Sequence, residues 1–240
     1  MALADSATRI YMKDEAFSWA YSTVTSLVHS AWASSPEAAL PYLKPLLEEF
    51  RGAEILRAAP RFTHGVLGLF ATAYARAGEL DEARGLLASM DSLAALIEFE
   101  PAGMAEHARA VVALAEGRPE ASLQHLERAR AAEYGLLHDY SRLLLGDVNV
   151  ALGRLPEAAA EYETVAGTLG LSFEDARAHP PLQPVAHERL GDVYLVLGDT
   201  TAALTHLAAF VELWRDADPE LQLRVQEAQR TLQEILSQRG

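Results

Sequence analysis

Asn149-Val-Ala-Leu-Gly153-Arg-Leu-Pro-Glu-Ala158 decides the fold. Apolar residues run into a glycine, a short polar bridge follows, and Pro-Glu opens a second apolar stretch. A glycine just past a helix takes the left-handed backbone that ends it, without a Cβ clash. Proline suits the first turn of the next helix because its missing N–H has no partner there, and a carboxylate meets the exposed amides. The decapeptide therefore reads as helix, tight turn, helix. Tyr74-Ala-Arg-Ala-Gly78-Glu-Leu-Asp-Glu-Ala83, Ala113-Leu-Ala-Glu-Gly117-Arg-Pro-Glu-Ala-Ser122 and Tyr194-Leu-Val-Leu-Gly198-Asp-Thr-Thr-Ala-Ala203 read the same way. A weaker copy, Ser34-Ser35-Pro36-Glu37-Ala38, follows a helical stretch over Trp19–Ala33.

The five turn positions, 33, 78, 117, 153 and 198, are separated by 45, 39, 36 and 45 residues. Self-similarity at such a period marks a repeat architecture, and units of about 34 positions fit it. They fall at 19–52, 64–97, 103–136, 139–172 and 184–217, with surplus residues between units. Position 8 of each unit is Ser26, Ala71, Ala110, Gly146 or Gly191, and position 20 is Ala38, Ala83, Ser122, Ala158 or Ala203. All ten are small, although Ala, Gly and Ser make up only 72 of the 240 residues. Small side chains at both places allow the two helices of a unit to cross closely. Position 24 is bulky throughout: Tyr42, Leu87, Leu126, Tyr162 and Leu207. Position 11 is Tyr74, Asn149 and Tyr194 in three units and His29 and Ala113 in the other two.

These units resemble tetratricopeptide repeats. The resemblance implies an all-α, right-handed α-solenoid of antiparallel helix pairs, since one pair cannot bury its apolar face alone. Residues 1–18 precede the array as an N-terminal segment or helix, and residues 219–238 close it as a capping helix. Asp218 serves as N-cap and Pro219 as the first helical residue. Leu221, Val225, Ala228, Leu232 and Ile235 mark the inward face, with Glu227, Arg230, Gln233 and Gln238 opposite.

In this family, positions 2, 5, 9, 12 and 13 of each first helix line a concave groove. The resemblance places Met104, His107, Val111, Leu114 and Ala115 there in one unit. Tyr140, Leu143, Asp147, Val150 and Ala151 follow in the next, then Val185, Glu188, Asp192, Leu195 and Val196. The partner-binding candidates are accordingly Tyr140, Leu143, Asp147, Val150, Val185, Glu188, Asp192, Leu195, His107 and Leu114. The Lys, Arg and Asn set with which some family members clamp a chaperone's terminal carboxylate is missing from these places. An apolar segment bearing a basic residue fits better. The competing reading makes Asp147 and Asp192 caps or hydrogen-bonding groups within the stack.

A narrower resemblance rests on His-Pro-Pro-Leu-Gln-Pro at 179–184, Leu-Gly-Asp-Val-Tyr at 190–194 and Phe-Val-Glu-Leu-Trp-Arg-Asp-Ala-Asp-Pro-Glu-Leu at 210–221. These look like the last repeat of large bacterial signalling proteins, in which such an array follows a serine/threonine kinase, cyclase or transcriptional-activator domain. The chain has no kinase His-Arg-Asp or Asp-Phe-Gly signature. The resemblance therefore implies the array without its catalytic domain.

Composition narrows the remaining classes. Acidic residues number 34 against 20 basic, a net charge of −14, and the only lysines are Lys13 and Lys44. That argues against sequence-independent binding to nucleic acid or an anionic membrane. The absence of Cys removes disulfides, thiol catalysis and thiolate metal sites. Ala16–Pro36 carries no charge, but its nine Ser, Thr and His residues suit a buried helix better than a membrane span. With no signal segment read at the N-terminus, the expected location is cytoplasmic.

Nothing points to a catalytic or cofactor site. The eight histidines, at 29, 64, 107, 125, 138, 179, 187 and 206, form no His-Glu-x-x-His pair. Asp216, Asp218, Glu220 and Glu227 mimic a calcium loop that lacks its glycine, with Leu221 at that place. No Gly-x-Ser-x-Gly elbow or phosphate loop occurs, and the acidic pairs Glu48–Glu49 and Glu161–Glu163 are spaced to point apart on a helix. Trp19, Trp32 and Trp214 read as core. The inserts 53–63 and 173–183 read as irregular. The expectation is a non-enzymatic, cofactor-free module that binds a protein or peptide segment. The alternative is a ligand-sensing or self-associating domain that regulates an attached catalytic or DNA-binding domain.

Overall fold

The computed structural model describes residues 36–52, 60–96, 103–131, 138–167 and 182–238, and every regular element among them is an α-helix. The expected first helix over Trp19–Ala33, with Ser26, His29, Trp19 and Trp32, lies outside the described residues. So do 1–18 and most of the 173–183 insert. The chain divides into two compact units, Met1–Leu137 and His138–Gly240.

The first unit contains α1 (Pro36–Gly52), α2 (Pro60–Arg76), α3 (Leu80–Leu96), α4 (Met104–Ala115) and α5 (Pro119–Ala131). The second contains α6 (His138–Ala151), α7 (Leu155–Ala166), α8 (Leu182–Leu197), α9 (Thr200–Leu213) and α10 (Pro219–Gln238). One turn geometry joins α2 to α3, α4 to α5, α6 to α7 and α8 to α9. Its glycines, Gly78, Gly117, Gly153 and Gly198, have φ of 79°, 73°, 72° and 79°. At Gly153 the glycine N–H donates to the Val150 carbonyl at 3.0 Å, and the Arg154 N–H donates to that of Asn149 at 2.8 Å. The same two bonds recur at the other three turns. This is the Schellman arrangement, which satisfies two carbonyls that the helix end leaves open. Asp199 then caps α9, its carboxylate accepting from the N–H groups of Thr201 at 3.1 Å and Ala202 at 2.9 Å.

In the first unit, α2 packs against both α3 and α4, α4 against α5, and α1 against α2. Leu43, Leu46, Leu47 and Phe50 form the buried stripe of α1 at helical spacing. The Phe50 ring meets that of Phe70 with centroids 6.1 Å apart. Tyr42 is off this stripe and 47% exposed, so the expected bulky packing position of the first repeat is not occupied by it. The 53–63 insert is not wholly irregular either, because α2 begins at Pro60, a residue suited to the first helical position. Ala71, Ala83, Ala110 and Ser122 are fully buried at the helix crossings. Ser122 Oγ donates to the Ala110 carbonyl at 2.7 Å, which joins positions 20 and 8 of one repeat directly.

In the second unit, α7 packs extensively on both α6 and α8, whereas α6 and α8 touch only thinly. Ala158 and Ala203 are fully buried, as expected of position 20. At position 8 the contact differs from a simple meeting of small residues. A Cβ built on Gly146 would lie 2.1 Å from Cε1 of Tyr162, and one on Gly191 would lie 2.4 Å from Cδ2 of Leu207. The bulky position-24 side chain thus fills the room that the glycine leaves. Beyond α9, α10 buries Val225, Ala228 and Ile235 and half-buries Leu221 and Leu232, while Glu227, Arg230, Gln233 and Gln238 face outward. Arg224 ties α10 to α8 by donating from Nε to Glu188 Oε1 at 2.9 Å, and its guanidinium lies 4.8 Å from the centre of the Trp214 ring.

Candidate functional site

The thin contact between α6 and α8 leaves a cleft of about 370 Å³ in the second unit, open on one side and backed by α7. Val150 from α6, Leu155 from the start of α7, and Val193 and Val196 from α8 supply its apolar lining. Val150 is 41% exposed and Val196 74% exposed, an unusual openness for branched aliphatic side chains clustered on a concave wall.

Its polar lining separates into one closed group and one open one. Asp147, Tyr162 and Arg189 form one linked group. Tyr162 donates its hydroxyl to Asp147 Oδ1 at 2.8 Å, and Arg189 Nη1 lies 3.0 Å from the same oxygen. The Arg189 guanidinium also sits over the Tyr162 ring, 5.7 Å from its centre. Burial and the Asp147 charge push the Tyr162 hydroxyl far above its ordinary range, so it stays protonated and donating. Asp192 stands apart, with no hydrogen bond or ion pair among the described residues. Its surface opens to the cleft. Partial desolvation, then the like charges of Glu188 and Glu227, raise its carboxyl pKa against the opposing pull of Arg189 and Arg224.

The candidates from the sequence therefore split. Asp147, Val150 and Asp192, with Val196, share the cleft. Glu188 faces Arg224 nearby. Leu195 and Leu114 are half-buried. Tyr140, Leu143, Val185 and His107 are 1%, 0%, 4% and 5% exposed, so they are corrected from groove to interior. Burial draws the His107 pKa down to about 4, leaving a neutral core imidazole at pH 7. Asp147 is tied within the stack, as the competing reading has it. Tyr162, Leu155, Arg189 and Val193 line the cleft without having been read as groove residues. Tyr162 carried a packing signal only, and the spacing held no sign of the others.

The other singled-out groups take structural places. Glu161 accepts from Arg142 at 2.7 Å, while Glu163 accepts the Tyr194 hydroxyl, so the two do not act together. Trp214 is buried against Phe210, with ring centroids 5.2 Å apart. Among the described residues, no three His, Asp or Glu groups converge as a metal site. No described helix is long and apolar enough to cross a membrane.

Residues 107–168 match the tetratricopeptide repeat family. The match runs from within α4 to the end of α7, inside the repeats read at 103–136 and 139–172. It stops short of 179–221, the stretch that carries the narrower resemblance. No curated protein and no solved structure matches the chain. The matched stretch includes the α6–α7 pair that supplies Asp147, Val150, Leu155 and Tyr162 to the cleft.

Proposed function

We propose that the protein is a non-catalytic interaction module that receives a segment of a partner protein in the cleft between α6 and α8. The observation that carries this reading is the coincidence of exposed valines with an unpartnered carboxylate on a helical scaffold. Helical recognition surfaces commonly combine such an apolar stripe with few polar anchors. The resemblance of 179–221 to the arrays of bacterial signalling proteins supports a scaffolding or regulatory part in such a protein, acting in the cytoplasm. A small-molecule sensor is the second reading. The openness of the wall, with Val196 74% exposed, favours a partner's chain over an enclosed metabolite.

A photo-crosslinking amino acid in place of Val196 in the full-length chain tests the proposal in the source cell. A discrete adduct with one partner is expected from Val196, and none from the same group at the exposed position Glu120. Equal capture at both positions, or none at either, would remove the cleft from consideration.

A further inference from the structure

The cleft has a negative charge that its own arginines do not neutralise. Asp147 on α6 and Asp192 on α8 line the cleft, and Glu188 on α8 and Glu227 on α10 add like charge near Asp192. Two guanidinium groups oppose them. Arg189 is engaged by Asp147 and lies over Tyr162. Arg224 is engaged by Glu188 and lies over Trp214. What is left over falls on Asp192, which has no hydrogen-bonding partner and stands beside Val193 and one turn from Val196. Partial desolvation and neighbouring negative charge both disfavour its ionised form. An unpaired carboxylate gains more from an incoming cation than one already held in an ion pair.

The neighbouring apolar wall says what kind of cation fits. A bare metal ion or ammonium would leave the exposed Val150 and Val196 uncovered. A lysine or arginine side chain carries an aliphatic stem behind its charged head, so it can cover apolar surface and deliver charge together. From this charge and shape complementarity we infer that the cleft selects a partner segment by a single lysine or arginine, its head on Asp192 and its stem along Val150 and Val196, with aliphatic neighbours completing the contact. This inference rests on the cleft being the partner site and adds the chemistry by which the partner is chosen. The interaction is charge-assisted, so one residue suffices to bias selection.

Selection of phage-displayed random peptides on the full chain tests it. Recovered peptides are expected to share one Lys or Arg flanked by aliphatic residues. Their affinity for Asp192→Asn is expected to fall about tenfold or more, the scale of a lost charge-assisted bond, and Asp192→Lys is expected to recover peptides with Asp or Glu at that place. NMR of the valine methyls locates the peptides independently. If the methyls of Val150, Val193 and Val196 shift but Asp192→Asn binds equally well, the charge selection is wrong while the cleft stands. If those methyls do not move, or no peptide is recovered, both fall. n-Butylguanidinium serves as a separate probe. Binding of this probe as tight as that of the peptides would make the cleft a small-cation site and overturn the peptide assignment.

Discussion

Asp192 also bears on stability. A carboxyl whose pKa rises on folding makes the native state hold its proton more tightly than the unfolded chain does. Stability then falls as pH rises from the ordinary carboxyl range through the raised folded value. Asp192→Asn should therefore stabilise the protein slightly at pH 7, by up to about 0.5 kcal/mol, with the gain shrinking in acid. Thermal melts at several pH values check this. A variant that melts higher yet loses the cationic peptide would show a site held at some cost to the fold. The opposite sign operates at His187 and His206, whose Nδ1 atoms are 3.0 Å apart. Burial lowers both pKa values; His206 lowers that of His187 further, and Glu163 partly offsets the effect of burial at His206. Tyr194 stacks on His206 with centroids 5.6 Å apart and donates to Glu163, so these groups complete the surroundings of the pair. The neutral forms are favoured by folding. Their contribution is complete above pH 6.5 and is lost as pH falls through the lowered folded values. His206→Gln should flatten the melting temperature's dependence on pH below that point.

Between helices, the glycines of α6 and α8 are not equivalent. Tyr162 is held by Asp147 and covered by Arg189, so its ring cannot retreat from a methyl at Gly146. Leu207 has rotamers with which to yield at Gly191. Gly146→Ala should cost about 1–3 kcal/mol, and Gly191→Ala less, measured by denaturant unfolding. Adding Tyr162→Leu to Gly146→Ala should recover part of the loss. The position-8 glycines and the turn glycines were legible in the sequence because each answers to a local need, room for a neighbour or a positive φ. The cleft was legible only in part. Asp147, Val150, Asp192 and Val196 fell on the expected positions. Tyr140, Leu143 and Val185 fell on them too, yet are interior. Which side of a first helix faces a groove depends on how one pair is offset from the next. The thin α6–α8 contact and the close α2–α4 contact differ in just this respect, and periodicity within one helix does not encode it. Arg189 and Tyr162 come from a neighbouring position and from the second helix, beyond the reach of a groove pattern built on first helices.

The chain as a whole consists of two units, each with its own buried residues. Everything that builds the cleft lies within His138–Gly240. A fragment spanning 138–240 should therefore give a cooperative helical melt by circular dichroism and bind the peptides selected on the full chain. A non-cooperative melt would mean that the second unit draws its order from the first. Helical repeats tend to open from their ends, and the last helix carries its own signal for that event. Trp214 is shielded by Phe210 and by the guanidinium of Arg224, a residue of α10. With Trp19 and Trp32 replaced by phenylalanine, the single remaining indole becomes an optical gauge of whether that end is closed. Departure of α10 admits water to the ring and moves its emission to longer wavelength before most helicity is lost. The stacked arginine thus makes fraying of the terminus observable without any attached dye.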